Sequence, residues 1–338
     1  MDLNTIWFIL VGVLLSGYAI LDGFDLGVGM INLFIRKDQD RRILYNSIGP
    51  VWDGNEVWLV TGGGALFAAF PEVYATAFSG FYLAFILLVF ALIFRAVAIE
   101  FRSKEKWTWW RKAWDIGFAA GSFIASLLIG VAIGNVARGI PLGEDHEFAG
   151  TFMGLLNPYA LLMGLTTVAL FVMHGMIYLA MKTEGDLQKK IRSWINPAII
   201  GFILCFSVVT LATLLYIPHI TDVFRESPAL FILAILLVLS VANVPREISR
   251  EKDFYAFLSS CVSMITLMAI FGFGMYPNMI YSLPDPQHSL TIYNGSSTDK
   301  TLQIMLIIAV IGVPVVLAYT ASIYWIFRGK VKLNEDSY

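Results

Sequence analysis

The sequence predicts an all-α polytopic membrane protein with nine transmembrane helices. Three observations predict it. Of 338 residues, 58% are apolar or aromatic and only 14% are charged, against roughly 25% charged in a soluble domain; mean hydropathy is +0.72. About half of a soluble protein's residues already build its core, so a chain this apolar has little water-facing surface to offer. Apolar runs of about 20 residues, the length that crosses a bilayer as a helix, recur along the whole chain. The basic residues are also segregated. With the N-terminus outside, twenty of the 23 lysines and arginines fall on the cytoplasmic side, as the positive-inside rule requires. The net charge of −2 offers no nucleic-acid footprint.

The spans follow in order. The first, about 5–33, has no Lys or Arg before it and is too long for a signal peptide. The second and third, about 50–70 and 72–98, are nearly continuous. They divide at Pro71, because proline suits the first turn of a helix it opens; Pro158, Pro197 and Pro228 read as the same punctuation. The others cover about 114–137, 157–181, 195–218, 228–245, 254–276 and 301–327, all within a single transmembrane domain over 1–338. Inside lie Arg36, Lys37, Arg41 and Arg42, then the group from Arg95 to Lys112, then Lys182 to Arg192, then Arg246, Arg250 and Lys252, and last Arg328, Lys330 and Lys332. Arg138, Arg225 and Lys300 fall outside. Nine crossings put the C-terminus in the cytoplasm, and moving one helix would destroy the asymmetry. The longest outer connections, 138–156 and 277–300, are too short for a separate domain. Cys205 and Cys261 lie in apolar runs without a CxxC, which argues against a disulfide framework or zinc site.

The chemistry concentrates in the first two spans. Residues 21–29 read Leu-Asp-Gly-Phe-Asp-Leu-Gly-Val-Gly, and 49–58 read Gly-Pro-Val-Trp-Asp-Gly-Asn-Glu-Val-Trp. Asp22 and Asp25 are three apart and share a helix face, as do Asp53 and Glu56, with Trp52 and Asn55 beside them. The first helix runs inward and the second starts at the inner surface, so both pairs meet in the cytoplasmic third of the bilayer. An ionised carboxylate there costs about 2.5–3.5 kcal/mol. Such a group holds a proton and gives it up when the local field changes, which is the physics of a proton relay. The small pairs Gly23/Gly27 and Gly130/Gly134 let helix backbones approach, which turns the Asp25 region toward protein rather than lipid.

Plainer readings stand beside this one. Asp53 and Glu56 suit an N-terminal helix turn, where negative charge is favoured. Asp22 and Asp25 lie toward a C-terminus and lack that explanation; a hydrogen bond between helices is their alternative. Trp52 and Trp58 suit an interfacial belt. His174 invites a haem-ligand reading, but no second histidine lies in a span; His146, His219 and His288 fall in outer loops. Asp115 and Glu100 are expected near inner helix ends, with Arg95 snorkelling or paired there.

These motifs resemble subunit II of the cytochrome bd quinol oxidases. The matching stretches are Asp22–Gly29, Arg41 together with Asn46–Gly64, Ala65–Phe81, Arg95–Lys104, Trp114–Asn135 and Leu156–Pro158. The likeness thins afterward. The Trp-Asp-Gly-Asn block at 52–55 is its most specific part. The resemblance implies a fold of two four-helix bundles plus one peripheral helix, paired with a homologous haem-carrying subunit I in the bacterial cytoplasmic (inner) membrane. It implies a complex that oxidises quinol, reduces dioxygen to water and generates a proton-motive force. Haems b and d are then expected in the partner, with none bound firmly here, and with room for a small single-span subunit. By the same resemblance Asp53 matches an acid of a cytoplasmic proton channel, Asp25 and Asp22 match acids of the first-helix motif, and Trp52 matches a tryptophan that contacts quinone. Glu56 departs from the family pattern, adding an acid where relatives carry neutral glutamine.

The expected function is therefore a haem-free subunit that supports assembly and proton uptake, with Asp53 as entry relay, Asp25 and Asp22 as coupled carriers, and Glu56 as auxiliary acid. The alternatives are a cation/proton antiporter, which calls for interrupted helices in matched halves, and a scaffold whose acids serve packing alone.

Overall fold

In hydrocarbon every backbone N–H and C=O must find a partner within the protein, and the apolar runs meet that demand as helices. The computed structural model describes residues 1–333; residues 334–338, counted in the expected single domain, lie outside the described residues. The α-helices are α1 (Leu3–Ile31), α2 (Asp38–Ile48), α3 (Trp52–Ala69), α4 (Pro71–Gly80), α5 (Tyr82–Phe101), α6 (Thr108–Arg138) and α7 (Phe152–Leu155). They continue with α8 (Pro158–Lys182), α9 (Gly185–Tyr216), α10 (Pro218–Glu226), α11 (Phe231–Ser249), α12 (Asp253–Met275) and α13 (Asp299–Ile326). Side chains cap several of them. Asp2 accepts from the Thr5 N–H at 2.7 Å, and Asn157 accepts from the Ala160 N–H at 3.0 Å, with Pro158 in the first turn of α8.

Among the described residues, eight helices are long and apolar enough to cross a membrane: α1, α5, α6, α8, α9, α11, α12 and α13. The protein is thus an all-α polytopic membrane protein. The second expected span, α3, is missing from that group because its 18 residues include Asp53, Asn55, Glu56 and three consecutive glycines. Two expected boundaries also change. The stretch 72–98 is two helices, α4 and α5, interrupted at Phe81. The preceding Ser79-Gly80 pair is a place where helices kink. The span expected from 195 begins ten residues earlier, at Gly185, and Pro197 lies inside α9 rather than opening it. Leu187, Ile191 and Ile195 bury one stripe of those early turns, so an amphipathic surface segment runs straight into the apolar one.

Helix α1 is central. It packs on α3, α6, α8 and α12; α6 also packs on α5, α8 on α9, and α11 on α12. The α1–α8 crossing is set by glycine. A Cβ on Gly27 would collide with the Phe171 carbonyl oxygen, and one on Gly175 would meet the Gly27 backbone at 2.7 Å, so the two backbones touch. Gly130 and Gly134 play the same part where α6 meets α8. Helix α13 meets α1 and α3 along one edge and is otherwise exposed.

At the end away from the basic residues, the two longest connections fold onto each other. Strand β1 (Asn278–Ile280) pairs antiparallel with β2 (Leu290–Thr291). The Ile140 N–H donates to Tyr281 O at 2.9 Å, the Leu283 N–H to Ile140 O at 3.1 Å, and the Ser297 N–H to Ala69 O at 2.8 Å. Ile140, Leu142, Ile280, Leu290 and Ile292 fill the space beneath.

Candidate functional site

The site begins with the two acids of α1. Their three-residue spacing places Asp22 and Asp25 on one face, and both are fully buried. Across from them α5 brings Arg95, also fully buried. Its guanidinium grips Asp22 with two parallel hydrogen bonds, Nη1 to Oδ2 at 3.0 Å and Nη2 to Oδ1 at 2.5 Å. This fork-on-carboxylate geometry is the strongest form of ion pair. Arg95 Nη2 also lies 3.8 Å from Asp25 Oδ2, and Nη1 lies 3.9 Å from Glu56 Oε2. Three carboxyls thus surround one guanidinium.

Helix α3 closes the site. Asn55 donates from Nδ2 to Asp25 Oδ2 at 2.8 Å and to the Leu21 carbonyl at 3.2 Å. Glu56 borders the cluster with a side chain 22% exposed. Asp25 Oδ1, Arg95 Nε and the Tyr18 hydroxyl are buried polar atoms with no partner among the described residues. Asp53 does not join the cluster; it stands exposed on the first turn of α3. Trp52, which opens α3, is half-buried against the apolar core that contains Phe24 and Tyr178.

Chemically, Asp22 is committed as counter-ion to Arg95. Asp25 and Glu56 are left as two further carboxyls in a setting where burying unpaired charge is costly. Glu56, with a side chain 22% exposed, gives the cluster an edge toward the surface.

A second network lies at the basic end, where the sequence placed Asp115 near an inner helix end without naming its partners. Asp115 of α6 is 1% exposed. It accepts from Arg102 Nε at 2.6 Å, Arg41 Nη1 at 2.7 Å, Asn32 Nδ2 at 3.2 Å and the Tyr45 hydroxyl at 3.3 Å. Asp38 continues it, accepting from Arg102 Nη2 at 2.7 Å and Arg111 Nη1 at 2.9 Å. The result ties α1, α2, α5 and α6 together beside the connection that leads into α3.

His174 does not fit an axial haem ligand. Nδ1 shares a hydrogen bond with Ser260 Oγ at 2.8 Å, Nε2 with the Ile20 carbonyl at 3.0 Å, and the ring stacks on Phe257 at 5.0 Å. Neither ring nitrogen is available to an iron. Among the described residues no group of three or more His, Cys, Asp or Glu is arranged to hold a metal ion.

A membrane-embedded helical chain with three carboxyls gathered round one buried guanidinium is the class of protein that the fold and the site define. Comparison with known proteins makes this specific. The family model for cytochrome bd terminal oxidase subunit II matches residues 3–327, and the chain belongs to that family. It is 38% identical over 371 aligned positions to the cytochrome bd-I ubiquinol oxidase subunit 2 of Escherichia coli (strain K12), covering 99% of this chain and 96% of that protein. It is 36% identical over 336 positions to the cytochrome bd ubiquinol oxidase subunit 2 of Bacillus subtilis (strain 168), covering 99% and 98%. Its fold is similar to a chain of the bd oxidase from Geobacillus thermodenitrificans, with a TM-score of 0.81, 16% identity, and coverage of 97% of this chain and 99% of that one. The chain is a subunit of a respiratory quinol oxidase of the cytochrome bd type.

Proposed function

We propose that this subunit takes up protons from the cytoplasm for dioxygen reduction on a homologous, haem-carrying partner, while holding no haem itself. In this reading the chain crosses the bacterial cytoplasmic membrane nine times. Helix α3 supplies the crossing that its polar start conceals. The N-terminus lies outside and the C-terminus inside. Helices α1, α3, α5 and α6 form one four-helix bundle, α8, α9, α11 and α12 the other, and α13 is peripheral. The packing of α1 on α3 and α6, of α6 on α5, of α8 on α9 and of α11 on α12 supports that grouping. Quinol is the substrate of the complex, with Trp52 as a quinone contact, and a small single-span subunit completes the assembly in this reading.

One observation carries the proton role: three carboxyls converge on a single buried guanidinium, with an asparagine rather than a second cation completing the shell. The proton path we assign runs from Asp53, exposed at the start of α3, to Glu56, then to Asp25, with Asp22 coupled through Arg95. Proton delivery from the inside to electrons drawn from quinol makes turnover electrogenic. An antiporter reading gains no support from a cluster confined to the first half of the chain.

The test is proton uptake by the reconstituted complex. Asp25→Asn is expected to preserve assembly and to slow quinol-driven oxygen reduction by about 10²-fold or more, the usual scale for removing a positioned proton carrier. Asp53→Asn, at the exposed entry where water substitutes in part, is expected to slow it less. Wild-type turnover and uptake in both variants would remove the relay role.

A further inference from the structure

Helix α13 is exposed along nearly its whole length, and none of its most apolar stretch is buried. It nevertheless sends one hydroxyl into the acid cluster. Tyr324 donates to Asn55 Oδ1 at 2.8 Å, and Asn55, 2% exposed, commits its amide nitrogen to Asp25 Oδ2 and the Leu21 carbonyl. The order of these contacts matters. An asparagine amide has one accepting and one donating end. Turned around, it would set its oxygen against two other acceptors, the Asp25 carboxyl and the Leu21 carbonyl. The Tyr324 hydroxyl, donating to the Asn55 oxygen, holds the amide in the productive sense. Tyr324 is itself fixed from below. Lys182 Nζ donates to the Phe327 carbonyl at 2.6 Å, Lys330 Nζ to the Ala180 carbonyl at 3.1 Å, and the Val331 N–H to the Lys182 carbonyl at 2.8 Å. These bonds anchor the backbone just past Tyr324 to the end of α8.

The consequence falls on Asp25. Oδ2 already accepts a hydrogen bond from an amide N–H, so it acts as the carbonyl oxygen of the neutral acid. Oδ1 is buried and has no partner among the described residues. We infer that Tyr324 is a positioning residue which, acting through Asn55, fixes the Asp25 carboxyl so that Oδ1 is the oxygen that takes and yields the proton. This deepens the relay role assigned to Asp25 and rests on it.

Infrared difference spectroscopy of the purified oxidase complex tests the inference, reading the carboxyl C=O band that Asp25→Asn abolishes. In Tyr324→Phe, which keeps the ring and removes only the hydroxyl, that band is expected to shift and broaden. Turnover is expected to fall roughly two- to tenfold, the rate equivalent of one neutral hydrogen bond. Asn55→Leu should alter the band in the same sense, and adding Tyr324→Phe to it should alter it no further, since both residues act along one line. An Asp25 band unmoved by Tyr324→Phe, or changes that add in the double variant, would overturn the positioning role. A band that moves in Tyr324→Phe while Asp25→Asn turns over at the wild-type rate would uphold the grip of Tyr324 on Asp25 and sink the relay instead.

Discussion

Arg95 shows how much a single residue decides in this molecule. With Asp22 gripped at both oxygens and Asp25 and Glu56 at ion-pair distance just beyond hydrogen-bond reach, the guanidinium makes the acids tolerable in an apolar surround. Arg95→Met leaves the carboxyls without compensation, and breaking a buried pair from one side costs about 3–5 kcal/mol. The extracted complex should therefore lose thermal stability sharply, and the double variant Arg95→Met/Asp22→Asn should recover part of the loss in the same unfolding scan. Asp38, outside the spans, gives a pH-dependent counterpart. Burial opposes its ionisation, but the hydrogen bond from Arg102 and the charges of Arg102, Arg111 and Arg42 outweigh this and hold its carboxyl below the usual range. A lowered folded-state value means that its stabilisation is complete above the ordinary aspartate pKa of about 3.9 and fades as pH falls through the lowered value. Asp38→Asn should thus reduce the unfolding temperature at neutral pH, and the gap to the parent should close only below about pH 4. That Asp22 and Asp25 share a face was legible in the sequence because i, i+3 spacing is local. The partner of Arg95 was not, since it lies 73 residues away and depends on α5 meeting α1 through α6. Exposed Asp53 looked equivalent to Glu56 for the same reason: spacing gives a shared face, not the depth of each side chain.

At the scale of elements, close approach of backbones sets the geometry of the site. Gly27 allows α1 to lie against Phe171 and Gly175 of α8, and that contact keeps the Asp22–Asp25 face turned toward α3 and α5. Gly27→Leu inserts a side chain where a Cβ alone collides with a carbonyl. Overpacking of this kind costs typically 1–3 kcal/mol, and a backbone clash places it at the upper end, so the yield of assembled oxidase should drop. Gly63→Ala, at a position with nothing within 4 Å of the added carbon, should assemble at the parental level. The glycine pairs that mark these crossings could be read from sequence, because small residues four apart have few other uses in lipid. The break at Phe81 is easily passed over because no proline marks it; its one local signal is the Ser79-Gly80 pair, which many continuous membrane helices also carry. Pro197 misled in the opposite sense: proline marks a helix start in water-facing sequence, yet α9 carries it within a span, where neighbouring structure tolerates it.

For the molecule as a whole, the segregation of basic residues predicts a topology that labelling can check. In a background with Cys205 and Cys261 replaced by alanine, a cysteine at exposed Gln287 should react with a membrane-impermeant maleimide in intact cells. One at exposed Lys189 should react only after permeabilisation. The opposite pattern would overturn the N-out orientation and with it the direction of proton entry proposed above. The family and the helical class were legible from composition and two short motifs. The joining of the loops 138–156 and 277–300 was not, because it unites segments more than a hundred residues apart, with backbone hydrogen bonds as its main link. That joining has a mechanical consequence. One rim of the protein is stitched by Ile140, Tyr281 and Leu283, the other is clasped by Asp115 and Asp38, and the acids sit between. Helices restrained at both ends have little freedom to tilt. A proton crossing the proposed relay should therefore hop between carboxyls held in place, without any slow rocking of domains.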